Sequence, residues 1–134
     1  MNKLRSIVFT FLAALLSISV VHAETILKNI PPHETASLIK QYKDSSEFQI
    51  IDVRTPEEFN ESRLANAINL DFYNKSFTDQ LAKLDKNKIY LLYCRTGRRS
   101  NIALNMMGKM GFNHAYNMTG GVIQWQAEKR PLIK

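Results

Sequence analysis

Five short apolar or mixed runs, each followed by a stretch long enough for a helix, constrain this chain more than any other feature. The runs are "ETILKNI" (24–30), "FQIIDV" (48–53), "NAINL" (66–70), "KIYLLY" (88–93) and "HAYNM" (114–118). Strands with one wet face alternate apolar and polar residues, whereas strands covered on both faces read as near-continuous apolar runs. "FQIIDV" and "KIYLLY" are of the second kind. The intervening stretches carry helix signals. "PPHETASLIKQY" opens on Pro31-Pro32 and sets Ala36, Ile39 and Tyr42 on one face. "TPEEF" offers Thr55 as a cap, Pro56 at the first helical position and Glu58 where a capping box needs it. Phe77, Leu81 and Leu84 share a face in "SFTDQLAKL". "SNIALNMMGKMG" (100–111) places Ile102, Ala103, Met106, Met107 and Met110 at helical spacing, with Gly111 as its stop. "GGVIQWQAEKRP" predicts a turn and a final helix, Trp125 facing the core. Alternating strands and helices imply an α/β domain with a parallel sheet of about five strands and helices on both faces.

The first 23 of the 134 residues read as a separate unit. "MNKLR" is basic, Ile7 to Val21 is an unbroken apolar or small run, and "VHA" ends on a small residue. That order matches a secretory signal peptide over 1–23, cleaved after Ala23, with a single domain over 24–134. The alternative is an uncleaved membrane anchor, but a spanning helix wants about 17–25 apolar residues. The expected location is therefore outside the cytoplasm, in the periplasm, with no stable membrane association after cleavage. Lys3 and Arg5 account for two of the 18 basic residues and no acid lies in this segment, so the remainder holds 16 basic against 12 acidic residues. That modest excess favours anionic ligands. No basic stripe interleaved with aromatics points to nucleic acid.

Cys94 is the single cysteine, so it has no internal disulfide partner. In an exported chain an odd cysteine suggests a reactive thiol. Its surroundings, "YCRTGRRS" (93–100), include Arg95, Arg98 and Arg99, which cannot all be buried unpaired. The stretch ends the most apolar strand and precedes a helix. Ligands of open parallel sheets bind beyond the carboxyl ends of the strands. Loop N–H groups around Gly97, a helix N-terminus and the arginines would all favour thiolate over thiol. Phosphatases of the type with a Cys, five intervening residues and an Arg offer a comparison. Here Arg99 follows Cys94 after four residues, and the phosphatase position is Ser100. The shorter loop suits a sulfur-sized group better than a phosphoryl group.

Three spaced motifs then resemble the single-domain rhodaneses, thiosulfate sulfurtransferase-type proteins. "IIDVRTPEEFNESRLANAINL" is similar to the family's Asp-x-Arg region followed by Glu-Phe. "YCRTGRRS" resembles its six-residue Cys-x-x-Gly-x-Arg loop, and "GFNHAYNMTGGVIQWQAEKRPL" its closing Gly-Gly, Trp and Pro pattern. Together they span nearly all of 24–134. Where the family often has Gly-His-Ile-x-Gly-Ala, this chain has Ser62-Arg63-Leu64-Ala65-Asn66-Ala67, so its His and both Gly residues are absent. Arg63 is then either a further charge near the site or a solvated side chain.

The resemblance implies a rhodanese-like fold and covalent sulfur transfer. Cys94 is the expected nucleophile, taking sulfur from thiosulfate or a similar small anionic donor and passing it to cyanide or a thiol. Arg95, Thr96, Gly97, Arg98, Arg99 and Ser100 are the expected substrate-binding loop, with Arg99 in direct contact with the donor. Asp52 and Arg54 are expected to form an ion pair supporting the loop. No cofactor or metal is called for, and His33 and His114 lack a metal-spaced partner. The alternative is a persulfide carrier or thiol-redox partner of another exported protein.

Overall fold

The computed structural model describes residues 17–134, and the basic start and most of the apolar run of the expected signal peptide lie outside them. Five strands form the sheet: β1 (Ile26–Ile30), β2 (Phe48–Asp52), β3 (Ala67–Asn69), β4 (Ile89–Tyr93) and β5 (His114–Met118). Five helices separate and follow them: α1 (Pro32–Gln41), α2 (Pro56–Glu61), α3 (Phe77–Ala82), α4 (Arg98–Lys109) and α5 (Gly121–Ala127). The strand order is β1-β5-β4-β2-β3 and every pairing is parallel. The expected α/β architecture is therefore the observed one.

Strand β4 lies at the centre because it is the most apolar. Leu91 and Leu92 are fully buried, one on each face, as the two-residue period of a strand requires. Tyr90 and Leu92 join Ile51, Phe77, Leu81, Ala103, Leu104 and Met107 in the core under α3 and α4. Leu91 and Tyr93 face the other way, onto Ile50, Leu38, Met118, Val122 and Trp125 under α1 and α5. Removing a fully buried leucine such as Leu92 would cost about 2–5 kcal/mol, since a two-sided sheet cannot collapse into the cavity. The methionines of α4 fill the core as expected, with Met107 fully buried. Trp125 is buried too, and its indole N–H donates to the Pro131 carbonyl at 2.9 Å.

The inward face of α1 differs from the sequence reading. Thr35 and Leu38 are its buried centre, while Ala36, Ile39 and Tyr42 pack at the margin. The apolar count favoured the margin because the centre contains a threonine. Helix α2 begins as its sequence dictates. The Glu58 N–H donates to Thr55 Oγ1 at 3.3 Å, and the Thr55 N–H donates to Glu58 Oε2 at 2.9 Å, completing the capping box behind Pro56. Among the described residues no helix is long and apolar enough to cross a membrane.

Candidate active site

Cys94 follows the last residue of β4, and α4 begins four positions later. The helix starts at Arg98, so Arg98, Arg99 and Ser100 form its first turn rather than a loop. Gly97 makes the transition with φ 93°, a left-handed conformation that glycine adopts freely. A Cβ at Gly97 would also lie 3.1 Å from the Gly120 nitrogen. The expected loop of six is thus a four-residue turn, Cys94 to Gly97, fused to a helix N-terminus.

The sulfur sits inside that curl. The Gly97 N–H donates to Cys94 Sγ at 3.1 Å and the Ser100 hydroxyl donates at 3.3 Å. Burial pushes the thiol up. The Ser100 hydroxyl and the backbone N–H groups of Ser100, Thr96 and Gly97 pull it down, and the balance lies below the ordinary cysteine value. The hydrogen bonds win because they all favour the same ionised form. The sulfur's surroundings also correct the sequence reading in one respect. Cys94 is fully buried, its side chain at the top of the core under α4, although Arg95 and Thr96 beside it are exposed. The arginines are not its immediate neighbours; backbone amides and a hydroxyl are.

Each arginine has a different fate. Arg95 and Arg98 are exposed and have no ion-pair partner among the described residues. Arg99, expected to reach the donor, is instead turned to α2. Its two terminal nitrogens donate to Glu58 Oε1 and Oε2, both at 2.9 Å. Its guanidinium also lies over the exposed Tyr73 ring at 5.5 Å. The Arg99 contact drives the Glu58 carboxyl down to about 2, against the opposing effect of burial and with help from Thr55. Glu58 in turn raises Arg99, to which Cys94 adds a smaller contribution. Glu58 is legible in the sequence only as a helix cap; its pairing across 41 residues is not.

Asp52 and Arg54 form the expected ion pair, and both are buried. Arg54 Nε donates to Asp52 Oδ1 and Oδ2 at 3.0 Å each, and its Nη2 donates to Oδ2 at 2.6 Å and to the Ser62 carbonyl at 2.5 Å. The guanidinium lies 5.6 Å from the Tyr93 ring centroid. Tyr93, whose phenol burial holds far above its usual range, accepts the Leu64 N–H at 3.1 Å. This pair joins the end of β2 to the end of α2 through the Ser62 carbonyl, against the Tyr93 ring of β4. Arg63 is half-buried rather than solvated: its guanidinium lies over the Phe59 ring at 4.7 Å, and its backbone bridges Ile133.

The rear of the loop is fixed by α5. The Val122 N–H donates to the Cys94 carbonyl at 3.0 Å, and the Ile123 N–H to the Arg95 carbonyl at 3.1 Å. Two further residues went unread in the sequence. The Asn117 side-chain amide donates to the Gly97 carbonyl at 3.3 Å and to Asn29 Oδ1 at 2.9 Å, linking the edge strand to the loop.

This strand–loop–helix geometry coincides with a sequence match. The profile of the rhodanese-like domain matches residues 35–128. The chain belongs to the rhodanese-like domain family. It is 25% identical over 100 residues to the sulfurtransferase of Allochromatium vinosum, covering 75% of this chain and 92% of that one. It is 30% identical over 103 residues to the thiosulfate sulfurtransferase GlpE of Pseudomonas savastanoi pv. phaseolicola, covering 77% and 91%. Among solved structures, a rhodanese-like domain protein from Staphylococcus aureus superposes with a TM-score of 0.61 at 32% identity, covering 73% of this chain and 90% of that one. A rhodanese-related protein from Thermoplasma volcanium gives 0.66 at 25% identity, covering 79% and 97%.

Proposed function

We propose that this rhodanese-like domain is a sulfurtransferase that carries a sulfane sulfur on Cys94. The observation behind this reading is the curl of N–H and O–H donors around Cys94 Sγ, with Gly97 at 3.1 Å and Ser100 at 3.3 Å. Such donors stabilise a thiolate, and after transfer they face the terminal sulfur of a persulfide, whose charge is one atom further out. The reaction is a double displacement. Cys94 thiolate attacks the outer sulfur of the donor, here written for thiosulfate; the Sγ–S bond forms, the donor S–S bond breaks, and sulfite leaves with the electron pair. The Cys94 persulfide then gives its outer sulfur to cyanide or a thiolate, and the Cys94 thiolate returns. Thr96 and Gly97 contribute backbone N–H groups, Ser100 its hydroxyl, and Arg95 and Arg98 a positive approach. Asp52 and Arg54 hold the loop, and Arg99 is coupled to Glu58. The similarity to named sulfurtransferases supports this reaction class.

Export belongs to the same proposal: residues 1–23 are a signal peptide, and the domain works in the periplasm. Sequencing the N-terminus of secreted material tests it, with Glu24 the expected first residue and retention of Met1 in a membrane fraction the contrary result. Intact mass spectrometry tests the chemistry. Thiosulfate should add one sulfur to the wild-type chain, cyanide should remove it, and Cys94→Ser should gain none. Loading of Cys94→Ser would overturn the proposal.

A further inference from the structure

A cavity of about 380 Å³ opens between α1, the segment before β3 and the chain that follows α5. No residue of 94–100 lines it. Its apolar surface includes buried Leu64 and Trp125 and half-buried Ala36. The Trp125 indole N–H already donates to the Pro131 carbonyl at 2.9 Å, so the ring offers the cavity only apolar surface. The charged residues of the lining are all of one sign: Lys40, Lys43 and Arg130, with no carboxylate. Lys40 lies in the last turn of α1, where it offsets the negative end of that helix. Lys43 and Arg130 are additional to that need. Lys40 and Lys43 are exposed and have no ion-pair partner among the described residues. Asp44, next in sequence, lines the adjoining cavity instead. Arg130 donates Nε to Glu128 Oε2 at 2.7 Å and holds its guanidinium 5.5 Å from the Trp125 ring centroid. Its two terminal amino groups donate to no acceptor among the described residues. Three cations therefore stand against one neighbouring carboxylate.

Sites for small molecules are concave and mostly apolar, with a few placed polar groups, and begin at about 300 Å³. This cavity stands at the lower end of that range, so its ligand has one short chain or ring. A neutral apolar ligand would cover the indole and Leu64 but make no use of the cations. An inorganic anion would meet the cations and leave the apolar wall in water. A molecule with both parts matches both. We infer that the cavity binds an amphipathic carboxylate of the short fatty-acid kind, its tail against Ala36, Leu64 and Trp125. The carboxylate head meets the terminal amino groups of Arg130, whose planar fork matches it, and the Lys43 ammonium. The site is separate from the sulfur chemistry and stands whatever reaction Cys94 performs.

Trp125 is the one tryptophan of the chain, so its fluorescence reports on this cavity directly. The full domain is titrated with octanoate, and with octanol and octyltrimethylammonium as neutral and cationic probes of the same chain length. Octanoate should give a saturable change in emission with Kd below about 1 mM at low salt. Octanol should bind roughly tenfold more weakly, since it lacks the charge-assisted contacts, and the cation should not bind. Lys43→Gln combined with Arg130→Gln should bring octanoate to the level of octanol. Added salt should weaken octanoate alone, because screening acts on the head and not the tail. Ala36→Leu enlarges the apolar wall and should weaken octanoate and octanol together. Thermal melting checks that each variant is folded, and if Ala36→Leu is not, Lys43→Gln alone should still weaken octanoate. Equal affinity for octanoate and octanol, binding of the cation, or unchanged octanoate binding in the charge variants overturns the inference. So does the lack of a saturable response to octanoate.

Discussion

Gly121 lies so close to Arg95 that a Cβ on it would stand 2.4 Å from the Arg95 carbonyl oxygen. It would also stand 2.6 Å from the Cys94 carbonyl oxygen, and Gly121 has φ 57°, in the left-handed region. The contact is with backbone, so no side-chain rotation relieves it. Because α5 donates to these same two carbonyls, the glycine sets how closely the last helix can seal the loop. Gly121→Ala should therefore destabilise the fold by about 2–4 kcal/mol, combining left-handed strain with a displaced loop. Urea unfolding measures it. A loss of less than about 0.5 kcal/mol would show that the close approach is dispensable.

The pH behaviour of Cys94 follows from the geometry of its sulfur. Burial opposes ionisation, and the Ser100 hydroxyl with the loop and helix amides reverses that effect. Ultraviolet thiolate absorbance should rise with a midpoint below the value of about 8.5 for a free cysteine. Ser100→Ala removes the one side-chain donor and should move the midpoint upward while the backbone N–H groups remain. A midpoint unchanged in Ser100→Ala would assign the whole effect to the backbone.

The sheet was legible because buried parallel strands carry their own signature. "KIYLLY" and "HAYNM" predict strands whose boundaries agree with β4 and β5. The capping signals of Thr55, Pro56 and Glu58 are local, and α2 uses all three. The start of α4 was placed two residues late, because Arg98 and Arg99 bury no apolar face and periodicity cannot see them. The surroundings of Cys94 were legible only in part. Ser100 and Gly97 are near it in sequence, whereas Glu58, Asn117 and Val122 reach the loop through the fold. Charge counted along "YCRTGRRS" could not reveal that Arg99 has a partner on another helix.

Glu58 links acid stability to that same pair. Its carboxyl stands at about 2 in the fold against 4.5 as an ordinary group. Between those values the unfolded chain binds a proton that the native chain does not, so stability rises with pH through this window. The contribution is complete above about pH 4.5 and lost as pH falls through about 2. With both side chains partly open to water, about 1–2 kcal/mol is expected after screening. Glu58→Gln should flatten the stability–pH curve in this window alone. An unchanged curve would mean that the pair forms equally in the unfolded chain.

Arg99 and Glu58 should also behave as a unit toward thiosulfate. The pair is formally neutral, so removing one member changes the charge beside Cys94 in opposite senses. Arg99→Ala leaves an unpaired carboxylate near the entrance and should lower kcat/KM for thiosulfate by about tenfold, since like charges meet in the encounter. Glu58→Gln frees a cation and should raise it. Glu58→Gln combined with Arg99→Ala restores neutrality and should return to within about threefold of wild type. The two single effects have opposite signs, so their sum is near zero, and the double variant, which carries the same net charge as the native pair, should match that sum. Raising salt should shrink both single-variant effects, as screening acts over about 10 Å at 0.1 M. If Arg99→Ala and the double variant are equally slow, Arg99 acts through its own contact with the donor, and the carboxylate on α2 is only its support.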